Sequence, residues 1–67
     1  MNQYITAPLE YRGLRFEIDP KKAGWQIKAT FPTGVIMLWW ASTAMEANIW
    51  VTDITTAYAQ GLKGVQP

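Results

Sequence analysis

Five carboxylates, Glu10, Glu17, Asp19, Glu46 and Asp53, make up most of this chain's acid–base repertoire, because it contains neither His nor Cys. Without imidazole it lacks the commonest metal ligand and the usual base near neutral pH. Without thiols it lacks disulfides, thiolate ligands and a cysteine nucleophile. Acid–base catalysis requires titratable groups that converge in matched environments. These acids are not spaced for it. Glu17 and Asp19 fall on the polar side of an alternating segment, Glu46 stands three residues after Thr43 in a capping position, and Asp53 lies on the polar side of the stretch after it. The five glycines are scattered singly, which leaves no phosphate-cradling loop. The residues predict a non-catalytic chain with no metal site and no cofactor.

Two other sets of side chains could recognise a partner. Arg12, Arg15, Lys21, Lys22 and Lys28 gather in the first half of the chain, with Lys63 alone near the other end. On a strand face, Arg15 and Lys28 could reach phosphates or base edges, although Glu17 and Asp19 share that parity and oppose it. The second set is aromatic and apolar: Trp25, Trp39, Trp40 and Trp50, with an uncharged run over residues 35–41. Such a surface serves nucleic-acid stacking or a protein interface, and without interleaved cations it suits protein better.

The elements that must position these residues can be read from periodicity. Leu14, Phe16 and Ile18 alternate with Arg15, Glu17 and Asp19, the period of a half-buried strand. Residues 19–24 carry turn chemistry, and Trp25, Ile27, Ala29 and Phe31 then alternate with Gln26, Lys28 and Thr30 as a second strand. After a turn at Pro32, Thr33 and Gly34, residues 35–41 are apolar at both parities, as in a strand covered on both faces. One of Trp39 and Trp40 must therefore point away from the helix-covered face, beside either Ile36 and Leu38 or Val35 and Met37; core packing is expected to take Trp25 and Trp50. Arg12 breaks the alternation of strand one unless Gly13 forms a bulge.

Thr43 with Glu46 matches a capping box, and Ala47, Trp50, Val51, Ile54, Ala57 and Tyr58 recur at three- and four-residue steps. The expected fold is α+β: a three-stranded antiparallel sheet over residues 10–41, packed on one C-terminal helix over residues 43–61. Gly61 is expected to end that helix, with Lys63 suiting its carbonyl end. Residues 1–9 read as a loosely ordered leader with the option of a short extra N-terminal edge strand, and residues 62–67 as a tail. A single domain of 67 residues buries a limited share of its surface, so each large apolar side chain counts.

The longest apolar run is far short of the ~20 residues that span a bilayer, and no signal-peptide pattern is evident at the N-terminus. A cytoplasmic protein is expected. Net charge is +1 and charged residues are 16%, which leaves much of the exterior neutral and points to association. The expectation is a small interaction module, homo-oligomeric or bound to a protein partner, that uses Ile36, Leu38, Trp39 and Trp40.

The order of elements, with Tyr11-Arg12-Gly13, Trp25 opening strand two and Thr43-Ala44-Met45-Glu46-Ala47 opening the helix, resembles the AP2 and phage-integrase arm-binding type of DNA-binding domain. That resemblance implies a three-stranded sheet laid into the major groove, with Arg12, Arg15, Trp25 and Lys28 facing DNA. The third strand departs from the pattern, because residues 35–41 bring no charge to the groove. Residues 25–32, followed by Thr43 and Glu46-Ala47, also look like the HicB-type antitoxin fold, which implies a toxin-binding domain.

Overall fold

The computed structural model describes residues 5–65, without the side chains of residues 63–65. Its elements are β1 (Glu10–Tyr11), β2 (Leu14–Lys21), β3 (Gly24–Thr30), β4 (Ile36–Ala41) and α1 (Ala44–Val65). The strands form one antiparallel sheet in the order β1-β2-β3-β4. The three long strands are those expected, and the extra edge strand is Glu10–Tyr11, just after the leader.

Two turns differ from the sequence expectation, each for a local reason. Arg12 and Gly13 have φ of 49° and 90°, so they form the two central residues of a tight hairpin turn whose twist suits the strands. Arg12 therefore leaves the alternation by lying in a turn, with no bulge. The second turn contracts to residues 22–23, because β2 continues through Pro20 and Lys21. Proline is admissible there through amide parity. The Phe16 amide donates to the Leu9 carbonyl at 2.9 Å, so even-numbered residues of β2 direct their amides away from β3. Pro20 shares that parity at a height β1 does not reach, and no ladder bond is lost.

The core lies between one sheet face and α1. Leu14 and Phe16 of β2, Ile27 and Ala29 of β3, Ala41 of β4, and Ala47 and Val51 of α1 are buried together. Ala29, Ala41, Ala44 and Ala47 are all buried, and their small side chains let helix and sheet approach closely. Full burial of Leu14, Ile27 and Val51 contributes roughly 1.5–3 kcal/mol apiece. Among the described residues, no polar or charged side chain is buried.

The helix starts where the capping box places it. The Glu46 amide donates to Thr43 Oγ1 at 3.1 Å, and Glu46 Oε1 accepts from the Ser42 amide at 2.6 Å, one residue ahead of the usual capping-box donor. At the other end α1 runs one turn past Gly61, which does not take a positive φ. The helix continues through half-buried Leu62 despite the roughly 1 kcal/mol that a helical glycine costs. The expected role of the Lys63 side chain, and the tail's last two residues, lie outside the described residues.

Residues 5–9 are held against the domain. Asn48 Oδ1 accepts from the Thr6 and Ala7 amides at 2.8 and 2.9 Å, and Ile5 and Ala7 pack on the core. Residues 1–4 of the expected leader lie outside the described residues. At the far end, Tyr58 meets Tyr11 and Phe31 edge-on and donates to the Arg12 carbonyl at 3.1 Å, which ties α1 to the first hairpin.

Removing the Thr43 cap leaves the first-turn amides short of an acceptor. Thr43→Ala is expected to cost about 1 kcal/mol, a fall of about 4–8 °C in thermal midpoint, read by circular dichroism with no change in native secondary structure.

Candidate interaction surface

The sheet face opposite α1 is read directly from the register. Arg15 pairs with Thr30 and Thr30 with Ile36; Glu17 with Lys28 and Lys28 with Leu38; Asp19 with Gln26 and Gln26 with Trp40. Opposed residues of an antiparallel ladder share a face. Each row thus runs from a charged residue on β2, through a polar one on β3, to a large apolar one on β4.

The charged side of this face is balanced. Arg15 Nε lies 3.7 Å from Glu10, Lys28 Nζ 3.9 Å from Glu17, and Lys21 Nζ 2.9 Å from Asp19. These pairs are exposed and contribute little to stability, but each sets a carboxylate beside a cation. Of the set that the DNA-binding resemblance implies, Arg15 and Lys28 share the outer face. Trp25 has the opposite parity and packs against the core, and Arg12 lies in the first turn with its guanidinium 5.7 Å from the Tyr11 ring. The structure does not gather these four residues onto one surface.

The apolar side is continuous. Ile36, Leu38 and Trp40 stand on the outer face at 54%, 59% and 48% exposure, so Trp40 is the outward-pointing member of the tryptophan pair. Trp39 faces α1 and stacks on Trp50 with centroids 6.3 Å apart. That reverses part of the expected core assignment, since Trp39 is half-buried while Trp50 remains exposed at the rim. Helix α1 does not reach far enough to close the edge of β4, and Met37, of the inner parity, is still 46% exposed.

Trp40 is seated by a glycine. A Cβ built on Gly24 would stand 2.8 Å from the Trp40 ring and would collide with the Ala41 carbonyl. The φ of Gly24 is 158°, a backbone conformation that residues with a side chain rarely adopt, so glycine is required here by conformation as well as by space, with the indole lying where a side chain would otherwise stand. The ring is thereby preorganised before any partner arrives.

The backbone of β4 adds a feature that side-chain patterning does not reveal. The Phe31 amide donates to the Val35 carbonyl at 2.8 Å, so odd-numbered residues of β4 direct their N–H and C=O groups at β3. Ile36, Leu38 and Trp40 direct theirs out of the sheet, because β4 is a terminal strand. The other edge differs. Strand β1 has two residues, one of them Glu10, and the extended edge beyond it carries Pro20. Short length, charge and proline blunt an edge, whereas β4 has six residues and none of these devices. The sequence held one sign of this: three strands joined by short turns make a meander, which leaves the last strand at an edge.

Two concavities among the described residues lie elsewhere. An open depression of about 430 Å³ is lined by Leu9, Glu10, Arg15, Phe16, Glu17 and Thr30. A cleft of about 150 Å³ lies between residues 7–11 and α1, lined by groups such as Tyr11, Val51 and Thr55. Among the described residues, no cluster of acids is placed to hold a metal ion, and no helix is long and apolar enough to cross a membrane. No family model, curated protein or solved structure matches the chain.

Filling the seat beneath Trp40 tests its rigidity. Gly24→Ala is expected to cost about 1–3 kcal/mol through forced displacement of the ring and the neighbouring strand, measured by urea unfolding, with a shift in tryptophan emission as the indole becomes more solvated.

Proposed function

We propose that this chain is a small non-catalytic interaction module that self-associates through the apolar outer stripe of β4. The observation that carries this reading is the contiguous exposed row of Ile36, Leu38 and Trp40 on a terminal strand. Isolated exposed apolar residues are ordinary, but three in one row on an uncharged edge form a patch of the kind that marks interfaces. A seated tryptophan is a favourable anchor, because large aromatics supply much contact area for little lost conformational freedom. The patch is bordered by Gln26, Thr30 and Lys28, giving a polar rim around an apolar centre.

Size-exclusion chromatography with light scattering tests the reading. The wild-type chain at about 100 μM is expected to show the mass of two chains. Leu38→Lys and Trp40→Ser are each expected to give the monomer mass with an unchanged far-ultraviolet spectrum, since both side chains lie outside the core. A wild-type protein that stays monomeric up to millimolar concentration would overturn self-association.

A further inference from the structure

Resting on the reading of β4 as a self-association surface, we infer that two copies join edge to edge, β4 against β4 in antiparallel register with the two-fold axis at Leu38, to make one continuous eight-stranded sheet.

Backbone parity comes first. Ile36, Leu38 and Trp40 turn their amides and carbonyls out of the sheet, so these residues are the ones able to exchange both hydrogen bonds with an added strand. Centring the axis on Leu38 sets Leu38 opposite its own copy and Ile36 opposite the second copy's Trp40, each as a doubly hydrogen-bonded pair. Met37 then faces the second copy's Trp39 on the helix side. This register pairs residues 36–40 of the two copies.

The side chains agree with that register. Ile36 with Trp40 is a β-branched–aromatic cross-strand pair, Leu38 with Leu38 is apolar, and Met37 with Trp39 sets a thioether against an aromatic ring. No charge lies within Ile36–Ala41, so the two-fold axis brings no like charges together, as it would on a charged strand. The pairing also gives each of these side chains a cross-strand neighbour on its own face, Met37 and Trp39 on the helix side and Ile36, Leu38 and Trp40 on the other.

The area argues for a second copy and sets the strength. Pairing along one six-residue strand edge lies at the low end of specific interface size. A reversible dimer is expected, with Kd on the order of micromolar.

Because the chain has no Cys, single cysteines read the register without background. Opposed residues of a hydrogen-bonded antiparallel pair stand about 5.5 Å apart at Cα, within disulfide reach. Under copper–phenanthroline oxidation, Leu38→Cys is expected to cross-link to itself. Ile36→Cys and Trp40→Cys are each expected to remain uncross-linked alone and to cross-link when mixed, the mixed pair keeping one Ile36–Trp40 contact intact. Should Trp40→Cys fail to fold, Leu38→Cys and Ile36→Cys still separate the outcomes. A wild-type dimer in which Ile36→Cys cross-links to itself, or Leu38→Cys does not, overturns the edge register and leaves self-association standing. A monomer by light scattering overturns both.

Discussion

A single helix about 10 Å across has to cover one face of a sheet whose four strands, at about 4.8 Å spacing, extend further than that. The rest of this domain depends on how that mismatch is distributed. The helix settles over the middle of the sheet, where Ala29, Ala41, Ala44 and Ala47 allow close approach and Leu14, Phe16, Ile27 and Val51 fill the space between. On one flank the deficit is met by residues 5–9, which Asn48 holds alongside α1. On the other flank no described residue meets it. Trp39 and Trp50 stack across the gap, and beyond them Met37 is exposed even though it faces the helix side.

The outer face of the sheet is divided as well, polar on β2 and β3 and apolar on β4. On β2 and β3 the solvent side carries Arg15, Glu17, Asp19, Gln26, Lys28 and Thr30, the usual composition of a wetted strand face. On β4 the same side carries Ile36, Leu38 and Trp40, and no local requirement of the fold calls for them there. Gly24 strengthens the contrast. A residue with a side chain at that position would displace the Trp40 indole, a ring that stays half-exposed in the monomer. The proposed pairing gives that arrangement a physical purpose.

Much of the architecture was legible in the sequence, because strands and helix obey simple periods. The alternation from Leu14 onward, the Ala47, Val51, Ile54 and Tyr58 part of the helix stripe and the Thr43–Glu46 cap stand where the pattern put them, whereas Trp50 and Ala57 of that stripe are exposed. The uncharged run at both parities in residues 35–41 reads as a strand covered on both faces, and in the monomer that strand is mostly exposed. What patterning could not reach was set by backbone groups and shape. Pro20 suggested a turn, yet amide parity lets it sit in a strand; Gly61 suggested a helix end, yet α1 runs on to Val65. The division between Trp39 and Trp40 depends on register, which hydrophobicity does not fix when both faces are apolar.

The two edges of the sheet are unlike, and this governs how large an assembly can become. Strand β1 is two residues long, bears Glu10 and is continued by Pro20, so it offers little to a further strand. A pairing that consumes β4 in both copies leaves only blunt edges outward. Growth then stops at two chains, and a sheet edge that could have seeded an open-ended fibre is spent in closing a finite particle.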